Sequence, residues 1–450
     1  MTQGIQPENS PNQTMTLDSQ RFSAVVAREF SGKARFVFVR QVAGTYASQL
    51  AGVAISVFTT SVIARVLGPE GRGQFAVAMA VGVLGVQSGN LGLHASNNYY
   101  AAKRPHLLPS LLGNSLVVSL GLGSLGAAGA GLAFSLWPNL APVHGKLLAL
   151  GLAWIPIGLA YLLTVNLLVG IQRVRAYNGI ELAKRILNLL IILAVMAMQA
   201  VSAESLFVAS VLAQVACTVL AVSELRKFTS VAPLPSLLLF RQSLGLGAKA
   251  YLVAFLAFLV LRADLLMVKY MMGAEQAGYY AVAGSMADYI LLLPAAIATV
   301  LFPKLSAMPA GKDVLRWANK VALGTAVLLL PVVLLAALLA HPIIHLLFGN
   351  AFQPAATAFV LLMPGVFFLG IETVIVQYLN SLGFPRSVIV AWFIACALNI
   401  GVNFWAIPKF GIAGASVVSS ACYSLMAMLI LWILRRQELA VALPATETDQ

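Results

Sequence analysis

The chain has 450 residues, of which 60% are hydrophobic and only 10% charged, and a formal net charge of +13. Soluble globular domains carry roughly a quarter of their residues charged. This much apolar surface therefore excludes a water-facing fold and requires lipid as part of the solvent.

In chain order, residues 1–20 are polar and hold no apolar run. They read as a disordered cytoplasmic tail and not as a signal peptide. Residues 21–41 read as a basic amphipathic segment. A first six-helix bundle is expected over 42–225, with spans near 42–66, 74–98, 107–136, 147–171, 178–200 and 206–225. The third of these is long enough to tilt or break near its glycine run, Gly121 to Gly131. A cytoplasmic linker over 226–243 leads to a second bundle over 244–434. Its spans lie near 244–270, 278–302, 318–340, 355–380, 388–407 and 412–434. Residues 435–450 read as a second cytoplasmic tail. Each span has the roughly 20 apolar residues needed to cross a bilayer. The expected class is an all-α integral membrane protein of about twelve transmembrane helices.

The cations set an orientation. With these spans, 22 Lys and Arg residues fall on the side of both termini and 5 on the other, with Arg262 inside a span. By the positive-inside rule both termini are cytoplasmic. The same distribution accounts for the net charge, so no nucleic-acid partner is implied. All loops are short, which leaves no room for a soluble catalytic domain. Cys217, Cys396 and Cys422 all lie in apolar runs and read as small apolar residues, with no metal-ligand spacing.

The two halves repeat. LGPEGRGQFAVA (67–78) and MGAEQAGYYAVA (272–283) match at six of twelve positions with an offset of 205 residues. Each joins the first and second spans of its half. Six spans is an even number, so the repeats are parallel, related by a pseudo-twofold axis along the membrane normal. At that offset Arg262, Asp264 and Lys269 correspond to Val57, Thr59 and Ala64. These charges are not needed to form the hairpin and point to something the second half does.

IARVLGPEGRGQFAVAMAVGVLGVQSGNLGL (63–93) resembles the first hairpin of the bacterial polysaccharide exporters. These are the O-antigen-type, lipid-linked oligosaccharide flippases of the multidrug/oligosaccharidyl-lipid/polysaccharide exporter superfamily. RADLLMVKYMMGAEQAGYYAVA (262–283), LLFGNAFQPAATAFVLLMP (346–364) and IPKFGIAGASVVSS (407–420) are similar to later turns of that family. The resemblance covers about residues 36–436, and the polar N-terminal extension departs from it. It implies two helical bundles around a central cavity that opens alternately to each face. It also implies a cargo of undecaprenyl-diphosphate-linked oligosaccharide, moved from the cytoplasmic to the periplasmic leaflet of the inner membrane for lipopolysaccharide or exopolysaccharide synthesis. Partners would be that cargo, membrane lipids and other membrane proteins of polysaccharide assembly. The competing readings are a multidrug/cation antiporter of the same superfamily, and a membrane polymerase or ligase of the pathway.

Such a cargo needs buried cations for its diphosphate and hydrogen-bonding groups for its sugars. Arg262 lies about eleven residues before Gly273, roughly 16 Å along a helix and near mid-membrane. A charge there costs at least ~2.5 kcal/mol and should face water or a partner. Lys269 falls about 20° away around the helix, so Arg262 and Lys269 are expected to line one face of the cavity, with Lys249 at the cytoplasmic start of the same span. A snorkelling role is the plainer reading of Lys249. Asp264 lies about 200° from Arg262, so it pairs with another helix or takes up H+ or Na+. Asp288 and Glu372 are further intramembrane carboxylates, for ion coupling or structural pairing. Asn90, His94 and Asn97 share a helix face at i, i+4 and i+7, which suits a sugar-contacting stripe or interhelical hydrogen bonding. Glu181, Lys184 and Arg185 read as a solvated helix end with an i,i+4 pair.

No catalytic or metal constellation is read from the sequence. His94, His106, His144, His341 and His345 form no H-E-x-x-H motif, and there is no Walker P-loop. The expectation is a non-enzyme without cofactor. Its energy comes from H+ or Na+ coupling, the membrane potential or consumption of the cargo.

Overall fold

The computed structural model describes residues 32–229, 232–308 and 312–442, and all regular structure among them is helical. The tail expected at 1–20, residues 443–450 of the tail expected at 435–450, and most of the basic segment over 21–41 lie outside the described residues, while residues 435–442 continue the last helix. The chain divides into two units, Met1–Ala54 and Ile55–Gln450. The described part of the first is helical.

The helices are α1 Gly32–Asn90, α2 Leu93–Lys103, α3 Leu108–Val117, α4 Gly123–Leu136, α5 Gly145–Gly170, α6 Val174–Ala197 and α7 Ala203–Arg226. They continue as α8 Leu237–Met272, α9 Ala274–Ala307, α10 Lys312–Leu338, α11 Ala340–Phe348, α12 Pro354–Ser381 and α13 Arg386–Ala442. Nine stretches among the described residues are long and apolar enough to cross a membrane. Two of them, in α1 and α13, each hold two crossings, divided at Gly68 and Gly411. Helix α6 is too charged to count by composition, yet its 24 residues span about 36 Å. The twelve expected crossings are thus present. Their outer surface is leucine-rich: Leu125, Leu132 and Leu136 on α4 and Leu323, Leu334 and Leu338 on α10 are exposed, which is stable only against lipid.

Local chemistry explains the boundaries. Gly68 (φ 67°) and Gly273 (φ 93°) occupy equivalent places in the repeat, and both adopt a left-handed φ that ends one helix before the next begins. Pro69 then starts the second crossing, where its missing N–H costs nothing. Ser202 caps α7 by accepting from Ser205 N–H, and Ser236 caps α8 by accepting from Leu239 N–H. The third crossing is not straight: a π-helical turn over Val118–Leu122 joins α3 to α4 at the edge of the glycine run.

The repeat has a physical counterpart. A Cβ on Gly73 would lie 1.8 Å from the Ala274 carbonyl oxygen, and a Cβ on Gly278 would lie 1.9 Å from that of Pro69. Both pairs are related by the 205-residue offset, so the two hairpin tips contact one another reciprocally, as a pseudo-twofold axis between them requires. A Cβ on Gly411 would meet the Met272 side chain at 3.3 Å, which places the last turn at this same tip face. Three further bonds close it. Arg65 donates to the carbonyls of Leu346 (2.5 Å) and Leu347 (2.9 Å) at the end of α11, and the Tyr270 hydroxyl donates to Leu140. At the other end α8 begins against α2 and α3, where Tyr251 donates to the Ser88 carbonyl.

Candidate functional site: two adjoining polar cavities

Two cavities lie inside the helices. The first, of about 370 Å³, is lined by Arg72, Arg262, Asp264, Tyr280, Asp288 and Tyr423 among others. The second, of about 280 Å³, is lined by Ser56, Thr60, Lys184, Arg185, Asn188 and Gln214 among others. Phe75 and Met79 line both, so the cavities adjoin across these two side chains. Thr60 and Tyr289 hydroxyls bond at 2.9 Å beside them.

Arg262 lines the first cavity. Its Nη2 donates to Asp288 Oδ2 at 2.6 Å, and both side chains are 38% exposed. The partner is therefore Asp288 on α9, and the pair is neutral as a unit. Lys269 and Lys249 do not line either cavity, which corrects their expected place beside Arg262. A shared face does not bring groups to the same depth: Lys269 is about 10 Å and Lys249 about 20 Å from Arg262 along the helix.

Asp264 is 2% exposed and faces away from Arg262, toward α9 and α13. Its Oδ2 accepts from the Tyr280 hydroxyl (2.5 Å) and Ser419 Oγ (2.8 Å), and its Oδ1 from Leu265 N–H (2.8 Å). Asn399 donates to Ser419 Oγ at 3.3 Å, and Asn403 donates to Asn399 Oδ1 at 3.3 Å. This network ties the seventh, eighth, eleventh and twelfth crossings together. Glu372 is also 2% exposed, but it lines neither cavity and its Oε1 has no hydrogen-bond partner.

The polar stripe is corrected as well. Asn90, His94 and Asn97 do not lie on one continuous helix, because Leu91 (φ 49°) and Gly92 (φ 79°) break the chain between α1 and α2. Asn90 Oδ1 accepts from His94 N–H (3.2 Å), and Asn90 Nδ2 meets His94 Nδ1 at 2.6 Å. Asn97 donates to Ser115 Oγ on α3 at 2.8 Å. These residues tie helices and line neither cavity.

Three cations in the cavities stand outside the expected set. Arg72, read as a loop residue, is 8% exposed; its Nη2 approaches Ser285 Oγ at 3.4 Å and its Nε is buried without a partner. It makes no ion pair among the described residues. At the repeat offset it corresponds to Ala277, so the comparison that singled out Arg262 also marks it. Lys184 and Arg185 line the second cavity instead of a solvated helix end. Lys184 pairs with Glu181 at 3.4 Å and lies 3.9 Å from the Tyr161 ring centroid, and the Tyr161 hydroxyl donates to Glu181 at 2.5 Å. Arg185 donates to Ser56 Oγ at 3.2 Å, so the expected pair with Glu181 is replaced by Lys184. Among the described residues no group of three or more His, Cys, Asp and Glu could hold a metal.

These cavities offer guanidinium forks, hydroxyls, amides and aromatic edges, which suits an anionic, hydroxyl-rich ligand. Residues 163–357 match the model of the family described as polysaccharide biosynthesis protein. A putative O-antigen transporter of Shigella flexneri is 27% identical over 177 residues, which cover 38% of this chain and 42% of that protein. The resemblance to the polysaccharide exporters holds. An uncharacterized membrane protein of Methanocaldococcus jannaschii is 30% identical over 143 residues, 31% of this chain and 28% of that one. The chain thus matches less than half the length of these relatives. Among solved structures, the lipid II flippase MurJ in an inward closed conformation has a TM-score of 0.71 at 13% identity, covering 87% of each chain. An inward-facing multidrug resistance MATE transporter has a TM-score of 0.68 at 14% identity, covering 87% of this chain and 96% of that one. The fold is therefore the one shared by these membrane transporters, and the protein is a multi-pass membrane protein similar over part of its length to a polysaccharide biosynthesis family and to a putative O-antigen transporter.

Proposed function

We propose that the protein is a flippase that carries undecaprenyl-diphosphate-linked oligosaccharide from the cytoplasmic to the periplasmic leaflet of the inner membrane by alternating access. The observation that carries this reading is Arg72: a nearly buried guanidinium lining the first cavity, with an unpartnered Nε and no ion pair among the described residues. An unpaired buried charge is costly, and a phosphate oxygen supplies the missing partner. Arg185, held only by a neutral serine, adds a second cation across Phe75 and Met79. Sugar hydroxyls would meet Ser56, Thr60, Asn188 and Gln214. Both termini face the cytoplasm in this reading, as the cation asymmetry requires. Asp264, Asp288 and Glu372 are the carboxylates available for H+ or Na+ coupling. Other membrane proteins of polysaccharide assembly would supply and consume the cargo.

The test is translocation in proteoliposomes. Lipid-linked oligosaccharide placed in one leaflet should become accessible to a glycosidase on the other, and Arg72→Ala should abolish this. Efflux of a cationic dye without glycan translocation would favour the antiporter reading and overturn the proposal.

A further inference from the structure

The two crossings of α13 enclose a groove unconnected to the polar cavities. It has a volume of about 720 Å³ and is lined wholly by apolar or small side chains. Its buried lining residues include the small Ala406, Gly414 and Cys422, and the large exposed side chains of Leu398, Trp405 and Phe410 stand beside them. Along one crossing it runs from Phe410 to Leu398, and along the other from Ala413 to Leu425. Each run is thirteen residues, or about 18 Å of helix, close to the ~15 Å depth of one leaflet's hydrocarbon. One end therefore lies at the tip face beside Gly411, and the other near mid-membrane.

Lys409 stands at the tip end. It is exposed, makes no ion pair among the described residues, and its Nζ lies 4.7 Å from the centre of the Trp405 ring that forms the groove wall. Tryptophan at the interface and a lysine reaching the headgroup layer are the usual anchors of a lipid-facing surface. Here the same two residues also frame a chain-sized trough. We propose that this groove is a binding site for one acyl chain of an anionic phospholipid, with the lipid's phosphate at Lys409.

The charge favours an anionic headgroup over a zwitterionic one. The location favours a resident lipid over the tail of a transported one. No residue lines both the groove and the Arg262 cavity, and the Asn399–Ser419 network belongs to the same two crossings on their buried side. A tail in the groove thus has its headgroup at Lys409, not at Arg72.

Phospholipids with brominated acyl chains quench tryptophan by contact. The protein has six tryptophans, so the share of Trp405 is obtained by difference against Trp405→Phe in bilayers of defined composition. Brominated phosphatidylglycerol should quench that share at about fivefold lower mole fraction than brominated phosphatidylcholine. Lys409→Gln should erase the difference while leaving the phosphatidylcholine curve in place. Ala421→Phe, which sets a bulky ring on the lining, should weaken quenching by both lipids. Equal quenching by the two lipids in the native protein would mean ordinary boundary lipid and would overturn the proposal. So would a preference that survives Lys409→Gln. Displacement of brominated phosphatidylglycerol by unbrominated undecaprenyl phosphate at equal mole fraction would overturn it too, because the groove would then take a prenyl tail.

Discussion

Arg262 and Arg72 line one cavity but differ in what balances them. Arg262 has Asp288 at 2.6 Å, whereas Arg72, among the described residues, has the Ser285 hydroxyl at 3.4 Å and the Phe75 ring at 5.8 Å. A cargo phosphate must compete with Asp288 for the first and with little for the second. The two should therefore answer differently to substitution. Exchange of the pair, Arg262→Asp with Asp288→Arg, should restore most of the transport lost in either single variant, because the unit stays neutral. Each single variant should also lower the unfolding midpoint. The loss should stay below the ~3–5 kcal/mol of a fully buried pair, since water reaches both groups. Failure of the exchange despite normal expression would return Arg262 to direct contact with the cargo. Arg72→Lys keeps the charge but loses the fork, and should cut translocation about tenfold, with Arg72→Ala lower still. Translocation assays on protein matched for folded yield separate these cases. Wild-type rates in Arg72→Ala would remove that residue from the cargo site.

The hairpin repeat is where sequence and structure agree best, and its limits are instructive. LGPEGRGQ reads as a turn, and so Arg72 reads as a loop residue. The turn is in fact one residue, Gly68, after which Pro69 restarts the helix and carries Arg72 about 5 Å back into the membrane. Asn90, His94 and Asn97 have helical spacing, but Leu91 adopts a positive φ that a leucine rarely does, and no pattern signals it. Arg262 and Asp264 were legible because apolar surroundings make a charge conspicuous. Their partners were not, since Asp288, Tyr280 and Ser419 come from other helices. The tip contact itself yields a prediction. Gly73→Ala places a methyl 1.8 Å from a backbone oxygen with no flexible side chain to yield, so the tips cannot meet. Spin-label distances across the two hairpins should lengthen, and translocation should fall, with Gly278→Ala giving the same result by symmetry. Gly121→Ala, facing open space, is the control and should change neither. Unaltered tip distances in Gly73→Ala would show that this contact does not set the closed state.

At the scale of the whole molecule, direction of transport depends on which way the tip face points. That face is sealed by the reciprocal glycines, by Arg65 on α11 and by Tyr270 on Leu140. On the proposed function this face is periplasmic, the orientation that the cation asymmetry of 22 to 5 read from the sequence spans favours. In that orientation, and on the proposed function, the tip contacts close the side of delivery. Opposite orientation would make the same contacts a gate against uptake and reverse the assignment. Cysteine labelling decides between them. The native Cys217, Cys396 and Cys422 are all buried, so background should be low. Cysteines replacing the exposed Lys146 and Lys409 should react with an impermeant maleimide in intact spheroplasts. Those replacing the exposed Arg104, Arg226 and Arg386 should react only after permeabilisation. The reverse pattern would turn the molecule over and, with it, the proposed direction of flipping. Labelling should also report the cycle. A cysteine at Ser285, beside Arg72 and inward of the tips, should be shielded from the periplasmic reagent at rest. It should become reactive when Gly73→Ala holds the tips apart. Continued shielding in that variant would place the delivery gate elsewhere than at the hairpin tips.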